Sequence, residues 1–257
     1  MLEALIEPLS PGGLVLLAGT VLLAGFIRGF VGFGAALIIV MVLSVSLGPL
    51  AAVPIVVLSG LPSMVQLLPN AVRFAERPFV IPFGLASFVA APIGAWVLVS
   101  VDPAVMKMAT SSFVLAMVVM LHRGWRLARR PGRAVLLGAG AAAGFVQGAA
   151  SVGGPPAVVI ALSSMGSPQR QRANVIGAVT ALNICALIPF WLYGLFIREV
   201  IVISLAIIPF YAGATWVGAR FFSRYGHRHF RNAALLTLAV IGILTLALAV
   251  RDYVNGG

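Results

Sequence analysis

The chain has 257 residues, of which 61% are hydrophobic and only 9% charged, and its mean hydropathy is +1.10. A soluble domain carries roughly 25% charged residues, so this composition excludes a water-soluble fold and demands a lipid-facing surface. The formal net charge is +11, from 17 Lys and Arg against 6 Asp and Glu. The basic residues sit between apolar runs, so the excess reads as charge that fixes membrane orientation rather than as a nucleic-acid surface. The partner expected is the lipid bilayer, with no nucleic acid.

In chain order, two short apolar runs come first, Gly12–Ile27 and Ala35–Leu47. Three long ones follow, at Pro49–Pro69, Pro78–Ser100 and Pro103–Leu121. A second short pair, Ala134–Gly148 and Pro155–Met165, precedes three more long runs at Asn174–Gly194, Val200–Phe222 and Asn232–Val250. About 20 helical residues cross ~30 Å of hydrocarbon. At about 1.5 Å per residue, each short run covers only roughly 16–24 Å. The runs are apolar all round, without the alternation of a membrane β-barrel, so they predict helices.

The basic segments order the chain across the membrane. Arg73 and Arg77 flank one break; Arg123, Arg126, Arg129, Arg130 and Arg133 fill the longest loop. Arg170 and Arg172 precede one run, and Arg224, Arg228 and Arg231 precede the last. If each short pair returns the chain to the side it left, all four segments share one face. The positive-inside rule makes that face cytoplasmic and puts both termini outside, in a plasma membrane of the bacterial inner-membrane type. Two full crossings and a re-entrant hairpin have the same parity; the shortness of the segments favours hairpins. The first residues lack a basic stretch, so no cleavable signal peptide is expected.

The halves repeat. Ala24-Gly25-Phe26-Ile27-Arg28-Gly29 matches Ala143-Gly144-Phe145-Val146-Gln147-Gly148, 119 residues later. The same offset places Gly34 on Gly153 and Pro49 on Pro168, and a later gap brings Gly94-Ala95 onto Gly218-Ala219. This predicts a first repeat over 1–122, a basic loop over 123–133 and a second repeat over 134–257. Each repeat holds five segments, an odd number, so the second is inverted with respect to the first. The fold expected is an all-α polytopic membrane protein of two inverted-topology repeats with glycine-rich broken helices or hairpins, an architecture of many secondary transporters.

The best-matched segments are also the most irregular. Arg28-Gly29-Phe30-Val31-Gly32-Phe33-Gly34 and Gln147-Gly148-Ala149-Ala150-Ser151-Val152-Gly153-Gly154-Pro155-Pro156 each read as a helix end, a loop and a new helix start. Helices starting near Ala35 and Pro155 point free N–H groups and a positive dipole end into the loop, which makes an anion site. Irregular backbone at membrane depth needs a cavity or protein around it. The candidate substrate-binding residues are Arg28, Gly32, Gly34, Gln147, Ser151, Gly153 and Gly154. Gln66, from the polar stripe Ser59, Ser63, Gln66 and Asn70, and Asn183, near Asn174 and Thr180, complete the set. Arg28 is either a snorkelling cytoplasmic arginine or a charge inside the membrane that binds oxyanions. Gly25 and Gly144 read as close helix contacts.

Several functions lack their residues. No acid sits in the middle of a span, where a proton relay needs one. His122, His227 and His229 lie at span ends. There is no Ser/His or carboxylate pair suited to hydrolysis, no HExxH and no GxxxxGK[ST], so neither an enzyme nor an ATPase is expected. The single cysteine, Cys185, allows no intrachain disulfide, and no metal or other cofactor is expected.

The two halves and the motif repeated as GFIRGFVGFG and GFVQGAASVGGPP resemble the sulfite exporter TauE/SafE family of membrane permeases, over essentially the whole chain. Gly153-Gly154-Pro155-Pro156 is typical, whereas Phe30 and Phe33 interrupt the small residues expected in the first copy. The resemblance implies a permease for sulfite, organosulfonates or related sulfur-containing anions. The expected partner is thus a small anionic substrate; an anion channel or a non-transporting assembly subunit are the alternatives.

Overall fold

The computed structural model describes residues 11–102, 131–163 and 167–254 and a few positions between 105 and 116. Eight helices form among the described residues: α1 (Pro11–Val31), α2 (Ala35–Leu47), α3 (Pro49–Phe74), α4 (Arg77–Ser100), α5 (Arg133–Ala150), α6 (Gly154–Ser163), α7 (Pro168–Leu192) and α8 (Arg198–Val254). There is no strand among them. Prolines open α3, α4 and α7 at their first turns, where the missing N–H has no partner to lose. The Ser167 hydroxyl caps α7 by accepting from the Arg170 N–H at 3.3 Å. Gly48, at φ 76°, turns the chain from α2 into α3.

Among the described residues, five helices are long and apolar enough to cross a membrane: α3, α4, α5, α7 and the Arg198–Tyr225 portion of α8. The expected pairs of short segments are corrected. Each pair is a long helix followed by a short one: α1 has 21 residues and α2 has 13, while α5 has 18 and α6 has 10. The long members run past Arg28 and Gln147 because those polar side chains are buried in protein and so do not mark a membrane edge. The second correction concerns α8. It continues without a break through Arg224, Arg228 and Arg231, where a loop between two spans was expected. That stretch holds no proline and one glycine, so nothing local stops the helix. Its 57 residues reach about 86 Å, so without a bend it can cross a ~30 Å core only once. The expected span Pro103–Leu121 falls for the most part, and the basic loop apart from Arg133 almost entirely, outside the described residues.

Exposed side chains such as Val72, Val89 and Trp191 are apolar, as a lipid-facing surface requires. Inside, helices touch backbone to backbone, chiefly α4 against α5 and α1 against α8. A side chain on Gly148 would strike the Ala91 carbonyl and Ala95 N–H, and one on Gly94 the Phe145 carbonyl and Ala149 N–H. The same contacts recur with the halves exchanged: Gly29 faces Thr215 and Ala219 of α8, and Gly218 faces Phe26 and Phe30 of α1. Gly25 and Gly144 are close helix contacts, as the sequence predicts, against Tyr211 and Ser87 respectively.

α3 and α7 lie antiparallel through the centre. At one end the Glu76 N–H donates to Asn174 Oδ1 at 2.7 Å, and Asn174 Nδ2 donates to Glu76 Oε2 at 3.0 Å. Arg170 adds an ion pair with Glu76 at 3.8 Å. Midway along, Gly60 of α3 lies beside Asn183 of α7.

Candidate functional site

The two glycine-rich breaks lie between α1 and α2 and between α5 and α6, and they meet at the centre, where Gly154 lies against Phe33. Each ends its first helix in the same way. The Gly32 N–H donates to the Arg28 carbonyl at 2.8 Å, and the Ser151 N–H to the Gln147 carbonyl at 2.9 Å. Gly32 has φ 96° and Ser151 φ 56°, at positions 119 residues apart. Left-handed backbone is ordinary for glycine and costly for serine. Ser151 is the one non-glycine residue in this region of φ among the described residues. Its hydroxyl compensates by donating to the Val53 carbonyl at 3.2 Å.

The residue that begins each break braces its own loop. Arg28 Nη1 donates to the Gly32 carbonyl at 3.1 Å. Gln147 Oε1 accepts from the Gly153 N–H at 3.2 Å, and its Nε2 donates to Asn183 Oδ1 at 3.4 Å. Arg28 is 4% exposed, which removes the snorkelling alternative. Its Nε and Nη2 are buried and have no hydrogen-bond partner. These two donors form one edge of the guanidinium, the edge that binds two oxygens of an oxyanion side by side. A buried charge with two idle donors is costly.

Arg28 lines a cavity of about 20 Å³, room for one water molecule. Among the predicted residues, Arg28, Gly34, Gln147, Ser151, Gly154 and Asn183 line it. No carboxylate among the described residues does. α2 starts at its wall, with Gly34 at φ 94° and no side-chain cap over its first N–H groups. The start of α6 offers fewer donors, because Pro155 and Pro156 have no N–H.

Three predicted residues do not line the cavity. Gly32 and Gly153 shape the breaks from behind, and a side chain on Gly153 would run into the Ala143 carbonyl. Gln66 is exposed on α3, because the buried face there has moved one residue on, to Leu67 and Ala71, which pack with Ile176. In the rest of its stripe, the Ser59 and Ser63 hydroxyls donate to the Val56 and Gly60 carbonyls of their own helix, and Asn70 Oδ1 is buried without a partner.

Two residues enter that the sequence reading passed over. Tyr211 of α8, 4% exposed, lines the cavity with Arg28. Arg172, expected at the membrane surface, is 2% exposed. Its Nε donates to the Phe30 carbonyl at 2.9 Å, its Nη2 to the Gly29 carbonyl at 2.5 Å, and its guanidinium lies 4.0 Å over the Phe222 ring. It thus satisfies carbonyls at the C-terminal end of α1. Sequence position gave no sign of this, because the partners are 142 and 143 residues away.

No curated protein and no solved structure matches the chain. The family model described as Sulfite exporter TauE/SafE matches residues 17–245, nearly the whole length, and the chain belongs to this family of membrane transport proteins.

Proposed function

We propose that the chain is a permease for a small sulfur-containing oxyanion, of the sulfite or organosulfonate class, bound in the cavity where the two breaks meet. The observation that carries this is Arg28, which has two buried, unpartnered N–H donors on one edge and lines a cavity with no carboxylate among its described lining residues. Such an edge matches an anion with two or more oxygens on one atom. The uncapped start of α2 adds a positive dipole end on the same cavity. Gln147, Ser151, Gly154 and Asn183 form the rest of the wall. A cavity of about 20 Å³, with room for one water, supports a carrier whose site must widen to take its substrate.

The exchanged contacts of Gly29, Gly94, Gly148 and Gly218 support two repeats related by inversion, over 1–122 and 134–257 with the basic loop 123–133 between them. The positive-inside rule supports a cytoplasmic position for that loop and an outside N-terminus. An outside C-terminus needs α8 to bend between Tyr225 and Asn232. Direction follows from energy: an inside-negative potential drives anions out, so the natural direction is export.

The test is flux into proteoliposomes of the purified chain. The panel is sulfite, thiosulfate, a short alkyl sulfonate, acetate and chloride. Saturable flux of the sulfur oxyanions, lost in Arg28→Met, is expected. Equal, unsaturable flux of chloride would refute the carrier reading, and absence of any flux would make the chain a non-transporting subunit.

A further inference from the structure

We propose that Arg172 is the gate residue of the Arg-rich face: while its guanidinium holds the Gly29 and Phe30 carbonyls, the central cavity is closed to that face, and its withdrawal opens it. The proposal rests on the preceding reading only in taking the cavity to lie on the transport path.

The geometry comes from the antiparallel pair α3 and α7. Glu76, at the end of α3, meets Asn174, near the start of α7, and Gly60 meets Asn183 at cavity level. Arg172, before Asn174, therefore lies on the Glu76 side of the cavity, the side that carries Arg73, Arg77 and Arg170. Val53, before Gly60 on α3, lies on the opposite side. Each of these two positions bridges to a break in the other half. Arg172 binds the carbonyls that end α1. The Val53 carbonyl accepts from Ser151, which ends α5. The correspondence is exact in sequence, since Val53 and Arg172 are 119 residues apart, as are Gly32 and Ser151. Two bridges at equivalent positions thus flank the cavity on its two sides.

The bridges are unequal in chemistry. Ser151–Val53 is one neutral hydrogen bond. Arg172 makes two charge-assisted bonds and stacks on Phe222, which itself contacts Phe30 edge-on. A cap for the end of α1 needs no buried cation, as the other half shows by managing without one. A cation held only by carbonyls and a π face has no carboxylate to lock it, so it can leave for water at the nearby face. Holding strongly at rest and releasing to water are the properties of a gate. A cavity with room for one water must widen to admit an oxyanion, and parting of a bridge beside it would allow that.

The test reads access directly and needs no substrate. In a Cys185→Ser background, Ala36→Cys places a thiol on the cavity wall. Its reaction with a small membrane-impermeant methanethiosulfonate is timed in right-side-out and in inside-out vesicles. Arg172→Gln should speed the reaction from the Arg-rich face about tenfold or more, the effect of a shift of about 1.4 kcal/mol, and leave the other face unchanged. Ser151→Ala should do the reverse. Equal acceleration from both faces, or none in a variant that melts like the parent, would overturn the proposal. If Arg172→Gln does not fold, Phe222→Leu removes the π face and keeps both hydrogen bonds. It should give a smaller acceleration from the same face, and its failure to do so would equally overturn the gate. Loss of transport in Arg28 variants with this labelling pattern intact would separate the two proposals.

Discussion

Arg28→Met tests whether the buried guanidinium binds a ligand or only supports the fold. Methionine keeps an unbranched apolar stem and removes every donor. Without ligand, the change relieves two buried unpaired N–H groups, each costing about 1–3 kcal/mol, and strands the Gly32 carbonyl at a similar cost. The balance is neutral to roughly 3 kcal/mol stabilising. With an oxyanion bound, the change removes two charge-assisted bonds of about 1.5–3 kcal/mol each, a loss of roughly 10²–10⁴ in affinity. Arg28→Lys keeps the charge but not the two-donor edge, so it should lose about one of those bonds, roughly 10–100-fold. The assay pairs thermal unfolding in detergent, with and without sulfite, with flux in proteoliposomes. The expected result for Arg28→Met is an unchanged or raised midpoint, no shift on adding the anion, and no saturable flux. A midpoint lowered by several degrees alongside lost flux would make Arg28 a helix cap, and normal flux would remove it from the site.

Further outcomes follow from the same geometry. Gly153→Val should reduce folded yield, because its side chain meets the Ala143 backbone, whereas Gly154→Ala meets nothing nearer than 3.8 Å and should fold normally while weakening anion binding. A cysteine placed in 123–133 should resist an impermeant reagent added outside intact cells, and labelling there would invert the topology. Voltage should drive flux without a proton or sodium gradient: for a dianion about 4.6 kcal/mol per 100 mV favours exit, over roughly a thousandfold in gradient. Flux indifferent to imposed potential but driven by pH would show that a proton moves with the substrate.

Local sequence carried the helices and the breaks, because proline, glycine and apolar runs act within a few residues. It also pointed to Arg28, Gln147 and Ser151, because the two matched segments mark the same irregular positions twice. What it could not carry depends on contacts between distant segments. Arg172 looks like a surface arginine until the end of α1 is placed against the start of α7. Gln66 falls on the Ser59 stripe, but the buried face of α3 shifts to Leu67 and Ala71 where its neighbours change. Gly153 was read as backbone open to a ligand, yet its missing side chain lets α5 approach. The basic cluster in α8 suggests a loop by charge alone, although it holds no proline that would break a helix.

The two breaks share a frame and differ in polarity, and the difference favours the first as the place where the proposed anion binds. Gln147 has both ends of its amide engaged, with Gly153 and with Asn183, so it is spent on structure. Arg28, at the same position of the other half, has donors in surplus. The prolines that start α6 remove donors that the start of α2 keeps. Gln147→Glu puts this asymmetry to the test. A carboxylate there still accepts from Gly153 and lines the same small cavity as Arg28, where a buried guanidinium strongly favours it as a partner. The variant supplies from within what the substrate supplies from outside. It should melt no lower than the parent, because the Arg28 donors gain an acceptor, and it should lose both the sulfite-induced rise in midpoint and the flux. Flux close to that of the parent would mean that the ligand does not meet Arg28 in this cavity. In the double variant Arg28→Met, Gln147→Glu the carboxylate is buried without its partner, so the midpoint should fall below that of either single change.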